Sequence, residues 1–189
     1  MKRKIGIVFG ILAVVLFLFL TGERKDTPPK FALNGVDLNL EKIHVSDLND
    51  AGFYLDKNDS TLAGNNFRNL LSYYNGDDHS ISMGGVSILN RGSGSLPYTK
   101  CQIFEITAKS RDKEGNLTNL EATYNGEHFF GKTKEELISL FGEPDEESVS
   151  YLLVYKTKRK NYKTTFTFDT HTGECYMVEI DRYEKGLVR

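Results

Sequence analysis

The sequence predicts an α+β fold in which two tandem helix–hairpin–strand units share an antiparallel sheet, with their helices on one face. A short helix with its own start and stop signals occupies Gly131–Pro144, and strand-like segments follow it. The hexamer Cys-x-x-x-Glu-Ile occurs twice, at residues 101–106 and 175–180. Because a similar order of turn, helix and strands precedes both hexamers, we interpret the chain as a duplicated unit.

The N-terminal residues 1–22 have the pattern of a membrane anchor or signal peptide. Lys2, Arg3 and Lys4 precede an uncharged apolar run at residues 5–20. As a helix this segment would be about 27 Å long, close to the ~30 Å of a bilayer core. We predict a single span with the C-terminal domain outside the cytoplasm, because the positive charges precede the run. Cleavage of the segment, which would release a secreted protein, remains the alternative. Residues 23–30 are predicted to form a linker.

Composition indicates a folded domain that does not bind nucleic acid. Hydrophobic residues make up 39% of the chain and aromatic residues 12%, enough to form a core. The formal net charge is −2, so removing the three N-terminal basic residues leaves −5 for the rest. A mildly acidic domain lacks the basic surface that phosphate binding needs.

The first unit is predicted to cover residues 31–124. Asn34–Gly35 is a strong turn signal, and Ser46 is placed to cap a short helix at Asp47–Ala51. Residues 54–80 are irregular and are interpreted as an insertion, in which residues 67–74 have apolar residues at helical spacing. Such spacing favours a short amphipathic helix or a packed loop. Tyr98–Lys109 is predicted to be a strand.

The second unit is predicted to cover residues 125–189. Thr133 and Glu136 have the spacing of a capping box, and Gly142 suits the left-handed position that ends a helix. One apolar stripe is formed by Leu137, Leu140 and Phe141. After the helix, Val149–Lys156 and Tyr162–Asp169 are predicted to form a hairpin, and Glu174–Asp181 the last strand.

Alternation along these strands predicts a second sheet face that does not pack under the helices. We expect this face to bind a protein or a cell-envelope component. It carries Leu152, Val154, Thr165, Thr167 and Met177. A basic cluster marks the hairpin tip, where solvation is the ordinary interpretation and contact with an anionic polymer or lipid headgroup the alternative; it comprises Lys156, Lys158, Arg159, Lys160 and Lys163.

No pattern of catalytic or metal-binding residues occurs in the chain. The sequence lacks G-x-S-x-G, H-E-x-x-H and any C-x-x-C pair. We therefore predict no catalytic residues, no metal and no cofactor. Cys101 and Cys175 are either bridged or two free thiols. On strand parity both are expected to point away from the face that packs under the helices.

The second unit resembles a known family of envelope proteins. The segments Gly131–Asp145, Tyr151–Tyr155, Thr165–Asp169 and Gly173–Ile180 are similar to the SmpA/OmlA outer-membrane-assembly lipoproteins and to β-lactamase-inhibitor-like domains. The resemblance implies tandem units with helices on one side of an open sheet and a concave face that binds proteins. Those relatives are not enzymes.

The function expected from these observations is a membrane-anchored extracytoplasmic protein-interaction module, binding or inhibitor-like, of a bacterial cell envelope. The alternative is a ligand-sensing or envelope-scaffold domain that binds a cell-wall component, and a hydrolase is the least favoured interpretation.

Overall fold

The structure is a computed structural model that describes residues 28–57, 59–76, 80–111, 114–148, 151–157 and 162–182. The elements of the first part of the chain are β1 (Phe31–Leu33), β2 (Val36–Leu38), α1 (Val45–Asp50), β3 (Phe53–Leu55), β4 (Thr61–Leu62), β5 (Asn66–Asn75), β6 (Ser82–Asn90), β7 (Leu96–Pro97), a 3-10 turn (Tyr98–Lys100) and β8 (Gln102–Lys109). Those of the second part are β9 (Ala122–Tyr124), β10 (Glu127–His128), α2 (Lys134–Phe141), β11 (Glu146–Ser148), β12 (Leu152–Lys156), β13 (Tyr162–Phe168) and β14 (Cys175–Arg182).

The strands form three antiparallel sheets. The large sheet has eight strands in the order β11-β12-β13-β14-β8-β6-β5-β3. A small sheet has four strands in the order β10-β9-β1-β2, and β4 pairs with β7 in a two-stranded sheet.

The predicted α+β class is wrong, because the described chain is mostly β, with 49% of it in strands and 12% helical. The two α-helices have six and eight residues, which gives lengths of about 9 and 12 Å. Eight strands spaced by ~4.8 Å span roughly 34 Å. Helices this short cannot cover such a sheet, so the tandem helix-on-sheet arrangement does not describe the fold.

The small sheet and α2 pack on the large sheet around Phe166 of β13. Its ring lies 5.3 Å from Tyr124 of β9, 5.3 Å from Phe129 and 5.6 Å from Phe141 of α2, measured between ring centroids. Phe166 and Phe129 are fully buried. We call the buried apolar side chains that join these elements the core cluster. It also contains residues of α1 and of the central strands.

The strand order of the large sheet is nearly symmetrical about its centre. The meander β5-β6-β8 on one side corresponds to the meander β12-β13-β14 on the other, and β8 pairs with β14. These are the two strands that contain Cys-x-x-x-Glu-Ile. Ile106 of the first hexamer lies directly opposite Ile180 of the second. The two copies of the repeated hexamer are therefore neighbours in the large sheet.

The small sheet has the same symmetry, and two Asn–Gly turns join the halves of the chain. The amide oxygen of Asn34 accepts the Glu121 N–H at 3.1 Å, and the Asn34 N–H donates to the Glu121 carbonyl. Asn125 makes the same two bonds with Lys30. Both asparagines have left-handed backbone conformations, with φ of 47° and 52°. Each turn therefore holds the strand of the other half.

A buried tyrosine fixes the middle of the first meander. Tyr73 on β5 faces Gly84 on β6, and its hydroxyl donates to the Thr107 carbonyl on β8 at 2.9 Å. The ring of Tyr73 is fully buried, and burial raises the pKa of its hydroxyl. A side chain at position 84 would occupy the space between the tyrosine and β8.

Several predicted elements differ from the structure. The helix α1 begins two positions earlier than predicted, after His44 rather than after Ser46. Residues 67–74 belong to the ten-residue strand β5 and form neither the amphipathic helix nor the packed loop that was predicted. Tyr98–Lys100 forms a 3-10 turn, so β8 begins only at Gln102.

The predicted membrane anchor finds no support in the structure. None of the helices in the described parts of the chain is both long enough and apolar enough to cross a bilayer. The predicted span at residues 5–20 lies outside the described residues. The predicted single N-terminal span, and the localisation inferred from it, are therefore not supported.

Candidate functional site

The five residues predicted to form a binding face lie together on one side of the large sheet. Leu152 of β12 faces Thr167 of β13, which in turn faces Met177 of β14. In the next row, Val154 faces Thr165. We call this surface the outer face, because the alternate residues of the same strands enter the core cluster on the other side.

The outer face is only partly accessible. Leu152, Thr165, Thr167 and Met177 are half-buried, whereas Val154 is 6% exposed. The Thr165 hydroxyl is buried and has no hydrogen-bond partner among the described residues. A partner could therefore contact Leu152, Thr167 and Met177 directly, but Val154 contributes mainly to packing.

Charges of both signs border this surface. Glu179 lies beside Thr165, and Lys163 lies opposite both Lys156 and Asp181. Lys156 forms an ion pair with Glu146 of the edge strand β11. Of the predicted basic cluster, residues 158–160 lie outside the described residues. The positive charge of Lys156 is thus partly compensated by the carboxylate of Glu146.

The two cysteines are free, buried and distant from one another. On the paired strands β14 and β8, Met177 faces Lys109. Cys175 lies two residues before Met177, and Cys101 lies eight residues before Lys109. Because the strands are antiparallel these offsets add, and the thiols lie more than about 25 Å apart along the sheet. This separation excludes a disulfide between them. Burial raises the pKa of both thiols, that of Cys175 to about 12.

The predicted orientation of the cysteines was wrong. Both belong to the core cluster, together with Ile106, Val178 and Ile180. The registers shift at Ser87/Ile88 and at Thr167/Phe168, and each shift adds a residue that reverses the alternation of side chains.

The histidines do not converge. His44 precedes α1 and bridges to Gln102, His128 is exposed on β10, and His171 is exposed in the turn after β13. His79 lies outside the described residues. In the described ranges, no group of three or more His, Cys, Asp or Glu side chains could hold a metal ion.

A small, partly open cavity of about 10 Å³, with room for about one water molecule, lies at one end of the β8–β14 pair. It is mainly apolar and is lined by Leu40, Ile43, Ile103, Phe104, Glu105, Ile106, Tyr162, Ile180 and Arg182. Its volume is below the roughly 300 Å³ at which pockets for small-molecule ligands begin. We therefore do not assign a ligand to it.

Sequence reasoning missed two features of the fold. One is the pair of reciprocal contacts made by Asn34 and Asn125. Each begins an Asn–Gly pair, which signals a turn, but the distant partners carry no local signal. The other is a bulge in β5 at Leu70, which has φ of 54° and is 70% exposed. Gly or Asn is the usual signal of that conformation, and leucine gives none.

The geometry defines a mostly β protein with a partly accessible outer sheet face. No family model matches the chain, and no curated protein or solved structure matches it either. The resemblance to the outer-membrane-assembly lipoproteins and β-lactamase-inhibitor-like domains therefore stays a prediction.

Proposed function

We propose that the chain is a protein-binding module whose contact surface is the outer face of β12, β13 and β14. The observation that carries this proposal is the register that aligns Leu152, Thr167 and Met177 in one row across three strands. The opposite side of these strands is committed to the core cluster. The outer face is therefore the side of the second meander on which a partner can bind.

The composition of the outer face supports a protein partner. Its centre combines apolar side chains with threonine hydroxyls, and lysine and acidic residues lie at its margin. Protein interfaces commonly have such an apolar centre and a polar rim. The unsatisfied Thr165 hydroxyl adds a hydrogen-bonding group that a small rearrangement on binding could use.

The other functions considered have weaker support. A cell-wall ligand would need a pocket or groove, and the cavity beside β8 and β14 is too small for one. A hydrolase would need converging acid, base and nucleophile, and the described histidines lie on separate elements. We therefore propose no second function.

The proposal is tested with Met177→Arg and Thr167→Arg in capture experiments. Both positions are half-buried, so a long side chain can reach solvent without unfolding the sheet, unlike at Val154. We expect each variant to weaken capture of the partner at least tenfold, about 1.4 kcal/mol. The partner is one that the wild-type chain captures from an extract of its source cells and that cross-links to the outer face.

Val36→Arg is the matched control, because Val36 is 38% exposed on β2 of the small sheet. It should leave capture unchanged. Thermal unfolding of all variants confirms that the fold is intact. Equal capture by the wild-type chain and both outer-face variants would contradict the proposal.

A further inference from the structure

One half of β5 is an open sheet edge. The strand pairs with β6 from Asn66 to Tyr74, but on its other side β3 pairs only with residues 73–75. Among the strands that the structure describes, none pairs with residues 66–71 on that side. An open edge of this length offers backbone groups to which a strand from another molecule can bind.

A β-bulge interrupts this open segment. Arg68 faces Ile88 and Leu71 faces Val86, so β5 has one residue more than β6 between the two pairs. Leu70 lies in the bulge with φ of 54°, a conformation that residues with a side chain rarely adopt. Its side chain is 70% exposed. Neither the positive φ of Leu70 nor the exposure of its side chain is explained by burial or by the conformational preference of leucine.

Side chains hold the bulge in place and occupy backbone donors. The Leu70 N–H donates to Ser87 Oγ at 3.3 Å, and the fully buried Ser87 hydroxyl donates to Glu105 Oε2 at 2.9 Å. Nearby, the Phe67 N–H donates to the Asn66 side-chain oxygen at 2.8 Å. The Leu70 N–H is thus directed towards β6, on the side that is already paired, and the Phe67 N–H is engaged and not available to an added strand.

The corresponding strand in the other half of the sheet has no bulge. Val86 faces Ile106 and Thr164 faces Ile180, so Leu71 corresponds to Tyr155 and Leu70 to Val154. β12 pairs with β13 without a register shift, and β11 covers its other edge from Leu152 to Val154. The bulge thus occurs on the strand whose edge is open and is absent where a neighbour covers that edge.

We propose that the Leu70 bulge prevents the open segment of β5 from pairing with the same segment of a second copy of this chain. The bulge bends the edge and breaks the regular spacing of its backbone groups. A second copy can then form too few consecutive hydrogen bonds to bind. This role of the Leu70 bulge is independent of the outer face of β12–β14, which is proposed above to bind a partner.

The test is deletion of Leu70 in the full chain, which removes the extra residue and restores a regular register. We expect the deletion variant to self-associate in sedimentation velocity, increasingly so at higher concentration. In that state the amides of residues 66–71 should exchange with solvent at least about tenfold more slowly than in the wild type. Wild-type chain in the same buffer should show neither change.

Two further variants keep the test decisive. Leu70→Ser keeps the bulge and removes the exposed apolar side chain, so it should behave as the wild type does. Ser87→Ala removes the group that holds the bulge, and it should shift association in the same direction as the deletion. If the deletion variant does not fold, Ser87→Ala decides the matter.

Three results would overturn the inference. The first is a folded deletion variant whose sedimentation and exchange match the wild type, or, if it does not fold, a Ser87→Ala variant that matches. The second is self-association of the Leu70→Ser variant, which would assign the effect to the leucine side chain. The third is concentration-dependent protection of residues 66–71 in the wild type, which would show that the edge already pairs.

Discussion

Gly84 shows how a single residue without a side chain permits the packing of three strands. The phenol of Tyr73 reaches across β6 to hydrogen-bond with β8, and only a glycine leaves room below it. A Cβ on Gly84 would lie 1.8 Å from the Thr107 carbonyl oxygen and 2.7 Å from the Tyr73 hydroxyl. The first of these is a clash with backbone, which a rotamer change cannot relieve.

We expect Gly84→Ala to lower the free energy of unfolding by about 3 kcal/mol or more, because the strands must separate to admit the methyl group. Urea unfolding followed by circular dichroism measures this. Gly85→Ala is the matched control, since the nearest atom to its Cβ would be the Leu71 carbonyl at 3.7 Å. It should change stability by less than about 1 kcal/mol. Similar losses of unfolding free energy in the two variants would show that the clash at position 84 is not the cause of the loss.

At the scale of the element, α2 formed where the sequence predicted it. Thr133 Oγ1 accepts the Glu136 N–H at 3.4 Å, and the Glu136 carboxylate accepts the Thr133 N–H at 2.8 Å. Gly142 ends the helix with φ of 79°. The apolar stripe is only partly confirmed, because Leu137 is fully buried and Leu140 is 41% exposed. Capping depends on neighbours in sequence, whereas the buried face depends on what packs above it.

Thr133→Ala should lower the free energy of unfolding by about 1 kcal/mol, because it leaves the Glu136 N–H without its acceptor. Chemical denaturation measures the loss. Lys132→Ala, one residue before the cap, serves as the control and should be nearly neutral. An unchanged midpoint for Thr133→Ala would mean that packing of Leu137 alone determines the helix.

The strands show where sequence reasoning succeeds and where it fails. β13 and β14 match their predicted segments within one residue. Buried and accessible residues alternate regularly along the whole of β13, and along β14 they do so from Met177 to Ile180. Most of β5 was predicted to be a short amphipathic helix or a packed loop, since its bulge breaks the alternation and leaves apolar residues at spacings of three and four. The five residues predicted to share one face of the sheet do lie on one face. The burial of Val154 depends on neighbouring strands and could not be predicted.

On the scale of the whole molecule, two similar halves are joined through both sheets. β8 pairs with β14 in the large sheet, and β1 pairs with β9 in the small one. Asn34 and Asn125 each bind the other half through an amide. The duplicated hexamer indicated a repeat, but the pairing of its two copies and the dominance of strands over helices depend on long-range contacts that no local pattern encodes.

Asn34→Ala and Asn125→Ala should each lower the free energy of unfolding by about 2 kcal/mol, because each removes a hydrogen bond and places alanine in the left-handed region. Both variants should keep one cooperative transition, since the halves share the core cluster. Asn34→Gly, which tolerates the backbone conformation, separates the two causes and should lose about 1 kcal/mol. Unfolding curves followed by far-ultraviolet circular dichroism and by the near-ultraviolet signal of the tyrosines should coincide. Two separate transitions would contradict this prediction.

The pairing of β8 with β14 has a consequence for the chain during its synthesis. The last residue of β14 lies 73 residues after the last residue of β8. At typical translation rates, roughly 4 to 15 s pass between their emergence from the ribosome. For that interval β8, which contains Ile106 and Ala108, is a bare edge of the nascent first half, and a chaperone could bind there.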